Sequence, residues 1–370
     1  KYGRSKEHRP NPIVQMGMMM DGDGIPLAMC IDEGNTNEQK TLIPLEKKIA
    51  EDFEHSKFIV CTDAGLSSAA NKKFNSTGER SFITVQSIKK MKAFQKEWAL
   101  SSTGWRLPGS KEVFDLDKIL SSEKLMEKYY SDVFYKEEWY NENNIEQKFI
   151  ASFSIKYMDY QRKIRNEQIE RAKKAIASSS SCDRRRSTDF KRFIKSVKVT
   201  NEGEVAEKTS YYLNEDLISK EEAYDGFYCV ATDLDDPAPE ILRINKRRWE
   251  IEESFRIMKT DFRSRPVYLS KDNRIRAHFI MCFISLIIFR YLEKRLGHKY
   301  TSEEIIKNLR DYKFLKAKDF GYIPAYTRTQ FTDDLHKAFG FRTDYEILSR
   351  SKMNHILKLS KERKNITTNF

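Results

Sequence analysis

Cysteine is scarce, with five residues in a chain of 370, at Cys30, Cys61, Cys182, Cys229 and Cys282. They are far apart, odd in number and include no Cys-x-x-Cys pair. That argues against a zinc ribbon or a disulfide framework and fits a reducing cytoplasm. Histidine is equally thin, six scattered residues, so a histidine-based metal cage is not expected. Long apolar runs are missing too. The longest, Ala277 to Tyr291, contains His278 and Arg290 and falls short of the ~20 residues that a membrane span needs. It reads as a buried core helix, and no membrane partner is expected. No signal peptide is visible. The chain begins at Lys1 rather than Met, and upstream sequence is expected to be missing.

What the chain does have is positive charge. Lys+Arg number 67 against 55 Asp+Glu, a net +12 and a pI near 9.2. Such a balance favours a polyanionic partner, nucleic acid first and an anionic membrane second.

The first third alternates strand and helix. Ile13–Asp21 is a Met-rich apolar run, Gly22-Asp23-Gly24 is a hairpin turn signal, and Ile25–Ile31 returns as a second strand. Gly34-Asn35-Thr36 breaks the chain. Glu38 to Phe53 then has helical periodicity through Leu42, Leu45, Ile49 and Phe53. Phe58–Thr62 is a short apolar strand of the kind buried in a sheet, with Asp63 at its end, and Ser81–Gln86 is another strand. From about Lys89 to Gly226 the composition turns polar and mixed, with aromatics and charges over Phe134–Trp139 and a polar helix over Tyr157–Ala177. Ser178–Ser181 and Arg184-Arg185-Arg186 read as an exposed linker that could touch phosphate. Ser210–Tyr212 and Gly226–Thr232 read as strands of one layer. From Glu240 onward the pattern is helical, and the basic tail Lys358–Lys364 is expected to fray.

The most informative stretch is Arg247-Arg248-Trp249-Glu250-Ile251-Glu252-Glu253-Ser254-Phe255-Arg256-Ile257-Met258-Lys259. On a helix at about 100° per residue, Ile251, Phe255, Met258 and Phe262 form one apolar stripe, and Arg248, Glu252 and Lys259 line the strip beside it. Charges four apart usually just stabilise a solvated face. A carboxylate between two cations can also build a metal site facing a phosphate backbone. Trp249 lies on another side and reads as a packing residue. Glu253, about 100° further round, is expected to be indifferent to Glu253→Gln. Asp63 is the second candidate, because functional groups collect outside the carboxyl ends of strands in α/β sheets. A helix cap or loop role is the plainer alternative. Hard oxygen ligands such as Asp and Glu suit Mg²⁺, and two Mg²⁺ ions about 4 Å apart can drive phosphodiester chemistry.

The segment RRWEIEESFRIMK resembles the signature of bacterial insertion-sequence transposases of the DDE type, in the branch recognised by a Tyr-Arg-Glu-Lys motif. Arg248, Glu252 and Lys259 match that motif in identity and spacing, while the Tyr position holds Asn245. Arg265-Pro266-Val267-Tyr268, Arg274–Phe279, Gly34-Asn35-Thr36 and Cys61–Leu66 are also similar to the family, so the likeness runs from roughly Arg4 to Lys294.

The resemblance implies an α/β fold: a ribonuclease-H-like core with an insertion domain, followed by C-terminal helices. The core would comprise residues 1–87 and 226–297, the insertion 88–225 and the helical region 298–370. It implies DNA cleavage and strand transfer at insertion-sequence ends. Asp63 and Glu252 would hold Mg²⁺ in a two-metal site where Mn²⁺ can substitute, and Arg248 and Lys259 would hold DNA phosphates. The partners would be transposon ends and target DNA, bound by a homodimer in a synaptic complex in a bacterial cytoplasm. The first Asp of the triad would lie upstream of Lys1. Asp21 and Asp23 are read as turn residues and are not assigned to that place. Two alternatives stay open: a non-catalytic DNA-binding remnant, and a nuclease of the same fold that does not transfer strands.

Overall fold

β1 (Val14–Met20) and β2 (Pro26–Glu33) pair antiparallel from Val14↔Glu33 to Met20↔Pro26, as the alternating Met-rich run requires. Their turn is built by side-chain chemistry. Asp21 Oδ1 accepts the amides of Asp23 and Ile25, both at 2.8 Å. Gly24 sits at φ +76°, where a side chain would be strained and would run into the Glu250 carboxylate. α1 (Leu42–Asp52) buries Leu42, Leu45 and Ile49, the expected helical spacing. β3 (Phe58–Thr62), α2 (Ala69–Asn75) and β4 (Arg80–Val85) follow, with α2 capped by the Ser68 hydroxyl accepting from the Asn71 amide. The computed structural model describes residues 1–2, 11–53, 58–178, 189–199, 208–345 and 347–359. Ser179–Ser181, Cys182, Arg184-Arg185-Arg186 and the tail beyond Leu359 lie outside the described residues.

The polar middle of the chain is more structured than its composition suggests. Three short helices, α3 (Ala93–Leu100), α4 (Leu116–Leu120) and α5 (Glu123–Lys128), precede a long hairpin of β5 (Phe134–Glu142) and β6 (Ile145–Phe153). The hairpin turns on Asn143 and Asn144, both at positive φ (55° and 58°), a two-residue loop whose twist matches the strands. α6 (Ile155–Ala177) is the expected polar helix. β7 (Ile194–Val199) and β8 (Lys208–Leu213) pair only with each other, and α7 (Glu215–Glu222) leads to β9 (Phe227–Thr232). Ser210–Tyr212 and Gly226–Thr232 therefore belong to different sheets, contrary to the single layer expected.

The five-stranded sheet has the order β3-β4-β9-β6-β5. β3 and β4 are parallel, and the remaining neighbours are antiparallel. Period-two alternation on the interior strand β6 feeds both faces. Phe149, Ala151 and Phe153 join Trp105, Phe134 and Leu116 in one core. Ile150 points the other way, toward Ile83, Val230 and Ile241. β3 lies at the sheet edge. Ile59 is 49% exposed, so the strand is not buried on both sides as its apolar sequence suggested.

Helices complete the chain: α8 (Ala238–Lys246), α9 (Trp249–Thr260), α10 (Asp272–Arg295) and α11 (Ser302–Asp311), a β10 (Phe314–Ala317)–β11 (Gly321–Pro324) hairpin, then α12 (Gln330–Phe339) and α13 (Arg350–Leu359). Two compact units result. One comprises 1–36 and 249–370, and the other 37–248. In the first, Met18 of the hairpin packs with Ile257 and Met258 of α9 and Leu286 and Phe289 of α10. A two-stranded sheet is marginal alone, and this burial is what stabilises it. The mixed sheet and the C-terminal helices agree with the ribonuclease-H-like α/β expectation.

α10 is not the buried core helix expected. By length and composition alone its 24 residues could cross a membrane, yet only one side is packed. Leu286, Phe289, Arg290 and Glu293 are buried, while Ile280, Met281, Ile284 and Ile288 are exposed. The buried side carries an ionic network, described below.

Glu46 of α1 is buried, and both its carboxylate oxygens accept from Asn75 Nδ2, at 3.0 and 3.1 Å. Asn75 Oδ1 is buried with no partner among the described residues. Burial pushes the Glu46 carboxyl above its usual range, against the lowering pull of Asn75 and Arg80. A raised folded-state pKa favours folding at acid pH, and that contribution is lost as pH rises through the folded value. Glu46→Gln removes the buried charge while its amide oxygen still accepts from Asn75 Nδ2. It should therefore raise stability by about 1 kcal/mol near neutral pH. The gain should shrink toward about pH 4.5, where the wild-type carboxyl is itself protonated in the folded state. Urea unfolding at the two pH values measures this, and an equal or negative effect at neutral pH would contradict it.

Candidate active site

Asp63 follows β3 directly, at its C-terminal end. Its Oδ1 accepts the amides of Gly65 at 2.9 Å and Leu66 at 3.2 Å, so the side chain shapes the turn that leads toward α2. The backbone is held from the neighbouring strand, since Thr84 Oγ1 donates to Asp63 O at 3.3 Å and Thr62 Oγ1 to Thr84 Oγ1 at 3.0 Å. Asp63 is exposed, and its Oδ2 makes no hydrogen bond among the described residues. The carboxylate thus does two things at once: one oxygen organises the loop and the other faces outward.

The motif does not lie on one continuous helix. α8 ends at Lys246, and Arg247 and Arg248 form a turn in which their amides donate to Ile244 O at 3.1 Å and Asn245 O at 3.2 Å. α9 starts at Trp249. Arg248 is half-buried beside β3, where its guanidinium opposes the burial that pushes the Cys61 thiol up to about 11. Arg248 and the Asp63 strand therefore share one unit. Glu252 and Lys259 belong to the other, seven residues apart on the exposed strip of α9. Glu252 lies in the first turn of α9, where the helix dipole favours a negative charge. The Lys259 ammonium sits 5.4 Å from the Phe255 ring centroid.

The apolar stripe is present but turned. Ile251, Phe255, Met258 and Phe262 join the core, and its most buried line runs through Ser254, Ile257 and Met258. Trp249 is 54% exposed, so the packing role expected for it is wrong. It lies roughly opposite Met258 on the helix, away from the buried arc.

The sequence profile described as the transposase DDE domain matches residues 2–288. The chain belongs to this transposase family. No curated protein matches it.

In this transposase, the residue at the motif's Tyr position has a structural explanation. Asn245 is buried. Its Nδ2 donates to the Tyr228 hydroxyl at 3.2 Å, and Cys61 Sγ lies 3.9 Å from its Oδ1. Asn245 ties α8 to β9 and β3, so its side chain is committed to packing within its own unit.

The residue that the sequence reading missed is Arg290. It was visible only as a charge inside an apolar run. In the fold it is 5% exposed, and Nη1 reaches Glu293 Oε2 at 2.6 Å and Glu253 Oε2 at 3.3 Å. Nη2 donates to Ser254 Oγ at 2.7 Å and Glu250 O at 3.1 Å, and Nε reaches Ser254 Oγ at 3.1 Å. Contacts to Glu250, Glu253 and Ser254, within about one turn, fix the rotation of α9, the helix that carries Glu252. Glu253 therefore has a structural role as a partner of Arg290. Arg290→Leu leaves buried Glu293 without its cation and Glu253 with only the more distant Arg256, and should destabilise the protein by about 3 kcal/mol. Glu253→Gln should lose only about 1 kcal/mol, because Arg290 keeps Glu293. Urea denaturation of the two variants tests the ranking, and equal stabilities would overturn it.

Proposed function

We propose that this transposase cuts DNA at insertion-sequence ends and joins the released 3′ ends to target DNA, acting as a homodimer on paired ends. Asp63 and Glu252 are assigned as ligands of a two-metal Mg²⁺ site, with Mn²⁺ able to replace Mg²⁺. The observation that carries this is Asp63. It is a carboxylate at the carboxyl end of a sheet strand, fixed through Oδ1 by two loop amides and turned outward through Oδ2. Glu252 adds a second exposed carboxylate on a helix whose rotation is locked by Arg290. Hard, exposed carboxylate oxygens are the donor type that Mg²⁺ takes. When bound, the metal pair supplies Lewis-acid stabilisation of the attacking and leaving oxygens. Asp21 is left out of the ligand set, because it sits in the tip of the two-stranded β1–β2 hairpin and not at the carboxyl end of a strand of the five-stranded sheet.

The chain's own groups then position the DNA. Arg248 offers a planar fork for two phosphate oxygens, and Lys259 a compact charge on the Glu252 strip. Turn amides hold Asp63 before substrate arrives, so little reorganisation is needed when the phosphodiester is placed.

Glu252→Gln in the full-length protein should abolish Mg²⁺-dependent cleavage of end-containing DNA while leaving DNA affinity within about twofold, since the amide keeps shape and loses charge. Arg248→Ala and Lys259→Ala should weaken DNA binding. Cleavage surviving Glu252→Gln would remove Glu252 from the site. Cleavage without joining of a supplied 3′-hydroxyl end would mark a nuclease instead.

The +12 charge leads to a second expectation. If about six phosphates are neutralised, affinity should fall roughly a thousandfold between about 50 and 200 mM salt. A flat salt titration would count against phosphate-dominated binding.

A further inference from the structure

α12 and the loop after it gather three potential ligands away from the DDE motif. Asp333 and His336 lie three residues apart, on one face of the helix. Gly340 ends α12 at φ +69°, a left-handed cap, and its amide donates to His336 O at 2.9 Å. The cap reverses the chain, so that Asp344 returns to face His336. One ligand atom from each of Asp333, His336 and Asp344 lies within 4.8 Å of the others.

The imidazole carries the second observation. His336 is 4% exposed. Its Nε2 side is crowded: Tyr312 Oη and Thr343 Oγ1 each lie 2.9 Å away, and the Thr343 amide donates to it at 3.3 Å. An amide can only donate, so Nε2 accepts and Nδ1 carries the proton. Nδ1 is buried and has no hydrogen-bond partner among the described residues. The nearest carboxylate oxygen, Asp344 Oδ1, stands 4.0 Å off, beyond hydrogen-bond range. Nδ1 is thus a buried polar atom beside the carboxylate of Asp344 with no hydrogen bond among the described residues, and such an atom calls for an explanation.

We propose that His336 Nδ1, with one carboxylate oxygen each from Asp333 and Asp344, forms a site for a single Zn²⁺-type cation, separate from the transposase chemistry. One imidazole and two carboxylates suit zinc better than Mg²⁺, which takes oxygens and keeps its waters. Tetrahedral coordination sets ligand atoms about 3.4 Å apart, so small side-chain rotations of the two Asp residues close the site. On binding, the Nδ1 proton leaves to solvent and one is taken up at Nε2, with no net change. Nε2–H then donates to Tyr312 Oη or Thr343 Oγ1, the outer partner that holds a metal-bound imidazole in orientation, and the long amide bond from Thr343 is given up. Arg328 and Arg342 oppose the cation. Arg328 pairs with Asp333 at 2.9 and 3.2 Å, and Arg342 with Asp344 at 3.0 and 2.5 Å. Each carboxylate keeps further lone pairs for a metal, so the arginines weaken the site without filling it. The cation would pin the loop after α12 to the helix.

The test is zinc affinity of the chelator-treated full chain, measured by competition with a chromophoric chelator. Asp63→Asn and Glu252→Gln are present throughout to silence the other carboxylates. A single Zn²⁺ should bind at about micromolar Kd or tighter, and added Zn²⁺ should raise the melting temperature. His336→Gln should weaken binding by at least about tenfold and remove the melting shift. Asp344→Asn keeps the shape and a contact to Arg342, and it should weaken binding likewise; it decides the matter if His336→Gln fails to fold. Arg342→Gln should tighten binding several-fold, which a plain ion-pair role for Asp344 would not do. Zinc affinity unchanged in Asp344→Asn, or no binding below about 100 µM, overturns the proposal and leaves Asp344 as the ion-pair partner of Arg342 alone.

Discussion

The Arg290 guanidinium is the constraint on which the packing of α9 against α10 in this transposase depends. A buried guanidinium must be both neutralised and hydrogen-bonded, or its desolvation is not offset. Glu293 on its own helix and Glu253 on α9 supply the charge, and Ser254 Oγ and Glu250 O supply the remaining acceptors. All four of these groups sit at fixed spacings along two helices. The network is therefore satisfied at one rotation and one height of α9 against α10. Apolar packing of Ile257 and Met258 alone would tolerate small slips, because dispersion contacts are not directional. That rotation turns the strip of Glu252 and Lys259 outward.

The same unit manages its hairpin in a similar way. β1 and β2 form a sheet of only two strands, so their order comes from what covers and grips them. Met18 enters the α9–α10 core, Gly24 allows the turn to approach Glu250, and Lys294 of α10 bonds Asp23 at 2.7 Å. The last contact is exposed and contributes little by itself. The hairpin tip is set mainly by the glycine, which admits a neighbour where any side chain would collide.

Much of this was legible in the sequence. The β1–β2 hairpin, α1, β3, β4 and α6 follow from local rules: alternation, 3.6-residue spacing and turn chemistry. What was not legible depended on partners far along the chain. β5 and β6 were hidden because their charged and aromatic residues blur the period, although Asn143-Asn144 was a usable turn signal. The edge position of β3 could not be read from an apolar pentapeptide. Helical periodicity continues through Arg247 and Arg248, so the break between α8 and α9 was invisible, and with it the exposure of Trp249. Arg290 read as the end of an apolar stretch because its four acceptors lie some forty residues upstream or one turn on. Asp63 and Glu252 were singled out by residue type and by the spacing of the family they resemble, and their role is a proposal. What holds each of them, two loop amides and a buried guanidinium, belongs to the fold.

The break in the motif has a physical consequence. Asn245 is fastened by Tyr228 and Cys61 in the unit formed by residues 37–248. Ser254 is fastened by Arg290 in the unit formed by 1–36 and 249–370. Residues 246–253 run between the two anchors, and Arg248 and Glu252 both lie in that interval. A continuous helix would transmit any rotation of one anchored end to the other. A turn at Arg247 and Arg248, closed by two i to i−3 bonds, lets each end satisfy its own buried polar group first. The four-residue spacing of Arg248 and Glu252 is then a statement about chain length between two anchors, not about one face of one helix. Asn245 makes one anchor through Tyr228 and Cys61, and Ser254 makes the other through Arg290, so the residue type at 245 bears on the first anchor and not on the second.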